Sequence, residues 1–499
     1  PPTFTELELE VPAVVQIAAL MGVGLLYQGS AHRLMTEVML DEISRPPTNE
    51  LLACRESYAL TAGLSLGMLA LGRGSDAAGL ADLLLEDKLG NCMHGKETAP
   101  PAIGSVDPSA TPPSMRSTAP PVASRCCRIR EGPLVNVDVT AAGATLALAL
   151  IFLKSNNASV AAQFRVPTST YDLHCVRPDL ILLRIAARNL IMWDSVLPTP
   201  EWLTSQLPSL PPPPAPNTFG PVLSVDPEAL RLSRTNSQAG ACLALGLRFA
   251  GSCCEPACEI LIEQVKELHA LRQNPSSPKA EQPTLEACLG AAALALSLVM
   301  AGSGNLRCLR LFRVLRRRVD SDVTYGFHMA VGMAIGFLFL GGGRLPLGTS
   351  KPAIAALLAA LFPRFPHDPR DCRYHLQAFR HLYALATEAR CIDAVDVDSG
   401  HAALLPLKVA LHVASSVDEC AEASADATVS RIDLSESAAA MVPLFEKVAP
   451  CTLPPLNTIS ALSVCGPRYW PRALDIVGCD DAHAAGLSRR VLWVKRKIG

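Results

Sequence analysis

Charge is scarce in this chain of 499 residues: Asp, Glu, Lys and Arg make up 18% of it, and 44 basic against 46 acidic residues leave a net charge of −2. That balance gives no global electrostatic reason to expect nucleic acid as a partner. The chain opens Pro1-Pro2, with neither a methionine nor a secretory leader; it is expected to be a piece of a longer protein. Long hydrophobic runs are missing too. The mean hydropathy of +0.26 raises the question of a membrane, and Cys288 to Gly304 comes close to spanning length. Most apolar runs stop short of the ~20 residues a bilayer requires. Arg248 and His328 sit inside two of them, and the segments between are amphipathic, so no membrane is expected. C-x-x-C pairs are absent. The 17 cysteines are odd in number and scattered through apolar patterns, as at Cys242, Cys288 and Cys308. They read as reduced thiols, pointing to the nucleus and cytoplasm.

What the chain has is small residues at helical spacing. Tyr58 to Ser75 reads YALTAGLSLGMLALGRGS, with Ala59, Gly63, Gly67 and Ala70 on one helical face. A glycine inside a helix costs about 1 kcal/mol relative to alanine. Two at spacing four imply that a neighbouring backbone comes close there. Gly72 and Gly74 then supply a stop. The same spacing of five returns as Gly24/Gly29, Gly246/Gly251 and Gly336/Gly341, with weaker copies anchored on Ala147 and Ser297. A period of about 40 residues is the signature of a helical-repeat array.

In chain order the expected helix pairs are Val11–Gly29 with Ala31–Ile43, then Arg55–Gly72 with Asp76–Leu89. Asn136–Asn157 follows with Asn157–Phe164 as its short partner, and then the long helix Pro178–Trp193. Gln238–Gly251 pairs with Glu255–Leu271, Leu285–Ala301 with Asn305–Val319, and Val323–Leu340 with Pro352–Phe362. Arg373–Ala389 begins a last helical unit. Residues 90–131 and 207–236 are rich in Pro, Ser and Thr and read as exposed, disordered insertions. Thr111-Pro112 and Thr199-Pro200 fit proline-directed phosphorylation. After Cys391 the texture changes. The stretches 394–400, 403–413 and 491–498 alternate like strands, while 413–450 is ambiguous. The expected domains are thus an α-solenoid over 1–391 and a mixed or β-rich unit over 392–499.

Several motifs suggest chemistry and fail on context. Gly63-Leu64-Ser65-Leu66-Gly67 fits G-x-S-x-G, but a nucleophile elbow needs a strand, a sharp turn and a helix. Here one helical period runs through the serine, and Gly22, Thr145, Ala244, Ala295 and Ala334 take its place in the other repeats. Gly22-Val23-Gly24 would need a third glycine where Tyr27 stands. Gly341-Gly342-Gly343-Arg344 has no following Lys-Ser/Thr and reads as a helix-ending turn. Cys253, Cys254 and Cys258, like Cys126-Cys127, have no fourth ligand at zinc spacing. His375 and His381 are six apart, off a shared face. No catalytic, cofactor-binding or metal-binding residue is therefore expected, and no cofactor. Arg307, Arg310, Arg313, Arg316, Arg317 and Arg318 form the one basic cluster. Cys308, Phe312, Leu315 and Val319 form its apolar stripe, so Arg310, Arg313 and Arg317 face outward. That face is either simply solvated or a contact for an acidic segment of a partner. Interleaved aromatics, which nucleic acid would favour, are missing.

Paired helices with Gly/Ala-rich first members resemble proteasome/cyclosome repeats. The ordered set YQGSAHR (27–33), RESYALTAGLSLG (55–67), NVDVTAAGATLALALIFLKSNN (136–157), GACLALGLRFAGS (240–252), MAGSGNL (300–306), YGFHMAVGMAIGFLFLGGGR (325–344), RYHLQAFRHLYALATEAR (373–390) and GPRYW (466–470) is similar to the family of the largest scaffold subunits of the anaphase-promoting complex, or cyclosome. The resemblance implies an all-α superhelical solenoid closed into a toroid, followed by the smaller β-containing region. It implies a non-catalytic scaffold in a multisubunit E3 ubiquitin ligase of mitotic progression and exit. It implies as partners a cullin/RING module, TPR subunits, a Doc-domain subunit and a coactivator, with no nucleic acid and no membrane. Two alternatives stay open at this point. One is a scaffold of the same repeat type in the proteasome regulatory particle, receiving ubiquitin-like domains. The other is a polytopic membrane protein.

Overall fold

The computed structural model describes residues 11–45, 52–77, 79–95, 136–167, 173, 176–208, 227–274, 278–319, 323–411, 444–454, 459–471, 473–475 and 490–497. Most of the two expected insertions (96–131 and 209–226), most of 413–450, Cys126-Cys127 and Thr111-Pro112 lie outside the described residues.

Seven helices form an inner row: α1 (Ala13–Leu26), α3 (Arg55–Leu69), α5 (Val137–Ile151), α7 (Pro178–Ile191), α9 (Pro227–Arg248), α11 (Gln282–Val299) and α13 (Tyr325–Leu338). Each packs against the next in chain order. Between them run outer helices: α2 (Arg33–Ile43), α4 (Leu85–His94), the short α6 (Ala158–Ala161) and α8 (Pro200–Ser205), α10 (Glu255–Gln273) and α12 (Leu306–Arg316). Inner α3, α5 and α11 are buried on nearly every side, whereas α2 and α12 bury one stripe each. This two-layer row of helix pairs is a solenoid.

The glycine pattern divides into two jobs. In the pairs Gly24/Gly29, Gly67/Gly72 and Gly246/Gly251 the first glycine lets two backbones meet, whereas Gly336 of the fourth pair meets nothing within 4 Å among the described residues. A Cβ on Gly24 would lie 2.7 Å from the Ser65 Cα, one on Gly246 2.7 Å from the Ala295 Cα, and one on Gly67 3.1 Å from the Ala147 Cα. The second glycine opens a left-handed loop whose N–H groups donate to the last carbonyls of the following inner helix. Gly29 and Ala31 donate to Met68 and Leu69, each at 2.9 Å. Gly251 and Cys253 donate to Leu298 and Val299 at 2.8 and 3.0 Å, and Gly302 and Gly304 to Phe337 and Leu338 at 2.9 Å each. These carbonyls have no partner inside their own helix, so each repeat completes its neighbour.

The same ladder corrects the register of one degenerate copy. Lys154 and Asn156 are the left-handed residues after α5, and they donate to Leu190 and Ile191 at 3.1 and 2.9 Å. Counting back from them, Ala149 is the counterpart of Gly67. Ala147, read as the anchor from sequence, is instead the small residue that receives Gly67.

Four further expectations shift. Asp76–Leu89 is not one helix: two 3-10 turns, Gly74–Asp76 and Ala81–Leu83, precede α4, which runs on to His94. Helix α9 begins at Pro227, inside the expected 207–236 insertion, with Pro227 and Glu228 suited to a first turn. Arg373–Ala389 is not an α-helix but an irregular lead followed by a 3-10 segment, Gln377–Ala386. Finally α14 (Lys351–Ala360), expected as an outer partner, is buried from Ala353 to Ala360. Leu357, Leu358 and Leu361 face Leu146 of α5, Leu183 of α7 and Leu243 of α9 across a narrow gap. Helix α14 therefore packs across one side of the inner row. From Pro352 on its sequence is apolar and has no polar face to offer solvent.

Beyond the 3-10 segment the chain turns to strands. β2 (Leu405–Leu411) lies between β3 (Leu444–Ala449) and β5 (Ile459–Val464), with β6 (Ala473–Asp475) outside β5. β1 (Cys391–Asp396) pairs parallel with β7 (Val491–Val494) and antiparallel with β4 (Cys451–Thr452). Alternate residues Leu405, Leu407, Val409 and Leu411 are buried with Ile459, Leu462 and Val464, forming a core separate from that of the helices.

Candidate functional site

None of the motif serines, glycines or cysteines is placed for chemistry. Ser65 lies inside α3, fully buried, and its hydroxyl donates to the Leu20 carbonyl at 2.8 Å, clasping α1. A Cβ on Gly63 would collide with the Gly143 carbonyl, so the G-x-S-x-G stretch is a helix seam. Gly22 and Gly24 sit within α1. Gly341, Gly342 and Gly343 are left-handed (φ 56°, 68° and 83°) and end α13. Cys258 of α10 lies 3.8 Å from Cys308 of α12 in a buried seam, and that hydrogen bond together with burial raises its pKa. Among the described residues no three His, Cys, Asp or Glu side chains converge as metal ligands. His375 is enclosed between Phe362 and Phe379, with ring centroids 5.6 and 5.8 Å away. Burial, reinforced by the nearby Arg380 charge, holds its pKa well below the usual histidine range. His381 is exposed elsewhere on the same segment. Thr199 caps α8, its Oγ accepting from the Trp202 N–H at 3.2 Å.

The polar groups that do converge are structural clamps, and the sequence reading passed over them. Arg177 reaches Glu56 at 2.9 Å and Asp179 at 2.7 Å, and Arg364 reaches both acids at 3.2 Å. Glu56 and Asp179 stand in the first turns of α3 and α7, where the helix dipole favours them. Burial opposes the Arg177 charge, and the two carboxylates more than offset it. Arg364 also lies over the Tyr374 ring at 3.3 Å. The clamp borders a half-open cavity of about 300 Å³, lined also by Asn236, Thr284 and Phe362. Among the described lining residues Cys288 is the one thiol, and burial raises its pKa, which disfavours the thiolate.

Two more clamps join the layers. Glu286 of α11, 2% exposed, takes Arg272 of α10 at 3.0 Å and Arg318 at 3.1 Å. Arg380 is buried and donates to the Ala360, Phe362 and Arg364 carbonyls at 3.3, 2.9 and 2.8 Å, capping α14. Burial without a carboxylate pushes its pKa down to about 9. The signals were present as acids in first turns and one Glu inside the apolar run 285–301. Their partners lie far away in sequence.

What is left exposed is surface. Among the described residues, Gly22 of α1 and Gly332 and Gly336 of α13 meet nothing within 4 Å, unlike the glycines of the helices between. Around them Val15, Leu26, Tyr325 and Phe339 are exposed. The two end helices thus show the kind of face that interior helices bury. Among the described residues two helices are long and apolar enough to cross a membrane, Gln282–Val299 and Tyr325–Gly343. The first is enclosed by α9, α10 and α13.

Comparison with known proteins agrees with this architecture. The family model described as the APC1 fifth domain matches residues 1–388, which is the helical row and its plug. The chain is 40% identical over 511 residues to anaphase-promoting complex subunit 1 of Homo sapiens, covering 100% of this chain and 24% of that protein. Against the subunit 1 of Arabidopsis thaliana it is 39% identical over 490 residues, covering 94% and 27%. Against the negative regulator of mitosis of Emericella nidulans it is 35% identical over 484 residues, covering 94% and 20%. The chain thus spans about a quarter of the length of these relatives. By the family match over its helical row and by these identities, the chain belongs to the anaphase-promoting complex subunit 1 family.

Proposed function

We propose that the chain is a scaffold element of the anaphase-promoting complex, contributing surfaces and no catalytic group to an E3 ubiquitin ligase of mitosis. The observation that carries the reading is the inner row. Its converging charges, Glu56, Arg177, Asp179 and Glu286, hold neighbouring elements together, and burial disfavours the thiolate of Cys288 beside the cavity. An array of this kind works through extended surface. In the proposed complex it joins a cullin/RING module to TPR subunits and lies near the Doc-domain subunit and coactivator, in the nucleus and cytoplasm, apart from nucleic acid and membrane. The chain divides near residue 391 into the array and the β unit. The array closes into a ring, the open faces of α1 and α13 being covered by helices of the same small-residue type.

The test is affinity purification of the full-length protein from mitotic cells without detergent, with mass spectrometry of what accompanies it. Cullin, RING, TPR and Doc-domain subunits in stoichiometric amounts are expected. Proteasomal ATPases in their place, or recovery only in detergent, would overturn the proposal.

A further inference from the structure

Helix α12 carries more positive charge than its surroundings use. Arg307, at the edge facing α10, is held by Glu255 and by Glu259, whose Oε2 accepts from Nη2 at 2.8 Å. Arg318 turns inward to Glu286 and lies over the Phe327 ring at 5.1 Å. Arg310, Arg313 and Arg317 are exposed and have no hydrogen bond or ion pair from their side chains among the described residues; Arg316 is in the same state. At 100° per residue, Leu306, Arg310, Arg313 and Arg317 fall on one row, opposite the buried Cys308, Phe312 and Leu315. Leu306 and Val314, 63% and 53% exposed, supply apolar area along it.

We propose that this row is a docking surface for an acidic helical segment of a partner protein, one presenting carboxylates three or four residues apart with an apolar side chain between them. The precedent is on the same helix. Arg307 is satisfied by two glutamates four apart on α10, the guanidinium fork matching the carboxylate. Arg33 of α2 also holds two acids, Glu37 of its own helix at 2.8 Å and Asp82 of a 3-10 turn at 2.5 Å. The free row repeats that geometry with the acids missing. Three like charges one turn apart repel one another, and opposite charge brought alongside removes that repulsion. The row has no exposed aromatic for a base to stack on, which sets nucleic acid aside. This inference goes beyond the proposed function, since it concerns one surface and holds for whichever assembly contains it.

The experiment uses the full-length subunit in its purified native assembly, with Arg310→Lys, Arg313→Lys and Arg317→Lys together. The charge is kept and amines are installed for zero-length carbodiimide cross-linking. Cross-links from at least two of these lysines to carboxylates three or four apart on one other polypeptide are expected. Charge reversal at the same positions to Glu should lower recovery of that polypeptide at least tenfold while the lysine variant retains it, and 0.5 M salt should lower it in the wild type. Cross-links only to this protein's own carboxylates, or none from an intact assembly, would overturn the inference. So would wild-type flotation with phosphatidylserine vesicles, or nuclease-sensitive recovery, that the reversal abolishes in the absence of cross-links. Loss of the assembly itself in the lysine variant would also overturn the inference, since lysine keeps the charge on which the docking rests.

Discussion

The inner and outer helices of one repeat obey different rules. Inner α5 buries every residue from Thr140 to Ile151 and has one acid, Asp138, in its first turn. Outer α12 buries three of its eleven residues and carries four arginines. Inner helices are specified by what is absent, since a missing side chain lets backbones approach. Outer helices are specified by what is present, an apolar stripe beneath a charged face. The inner rule leaves no room for substitution; the outer one leaves the surface free to take on partners.

The sharpest way to break the contrast is to add atoms to the inner seam. Gly63→Val should cost more than about 3 kcal/mol, because the group it meets is the Gly143 backbone and cannot rotate away. Denaturant titration of the full-length subunit, or its soluble yield, reads this directly. Next comes the clamp between layers. Glu286→Ala removes the buried carboxylate that Arg272 and Arg318 share and should cost about 2 kcal/mol by the same measurement. A Gln there should recover part of the loss through hydrogen bonding.

The third test is pH. His375 has its folded-state pKa lowered, so the unfolded chain binds its proton first. Its contribution is fully present above the ordinary histidine value of about 6.5 and is lost as pH falls below it, at up to ~1.4 kcal/mol per unit. His375→Phe, which suits the Phe362 and Phe379 surroundings, should flatten stability between pH 6.5 and 5.5. The fourth sharpens the contrast at its boundary. Gly332→Ala should stabilise the isolated chain, in which that face of α13 is open, by about 0.5–1 kcal/mol, the opposite sign from Gly63, and should lose that gain in the full-length subunit, where the proposed ring covers the face. The smallest effect belongs outside: Arg313→Gln should change stability by less than about 0.5 kcal/mol.

The pattern of glycines five apart was legible because it reports two local requirements, close approach and a left-handed turn, that only small residues meet. Its degenerate copies were less legible. Lys154 and Asn156 adopt the left-handed loop without glycine, so the anchor slipped from Ala149 to Ala147. The outward placement of Arg310, Arg313 and Arg317 was legible from the stripe of Cys308, Phe312 and Leu315 beneath them, but Val319, read as its fourth member, lies past the helix end and is 89% exposed. The clamp of Glu56, Arg177, Asp179 and Arg364 was not, since its members come from three distant stretches. Nor was the course of 373–389: its amphipathic spacing suits an α-helix, but Arg380 is drawn in to serve the carbonyls ending α14, and the segment tightens to 3-10.

The repeat, the layering of small and charged helices, the emptiness of the hydrolase-like motif and the passage to strands after Cys391 are written in the chain. These follow from periodicity and from what each residue type tolerates within one turn. Folding in three dimensions settled that α14 packs across the inner row, that buried arginines cap and clamp it, and which arginines of α12 are left free. Those outcomes depend on partners brought together from far along the chain, and spacing within one helix carries no record of them.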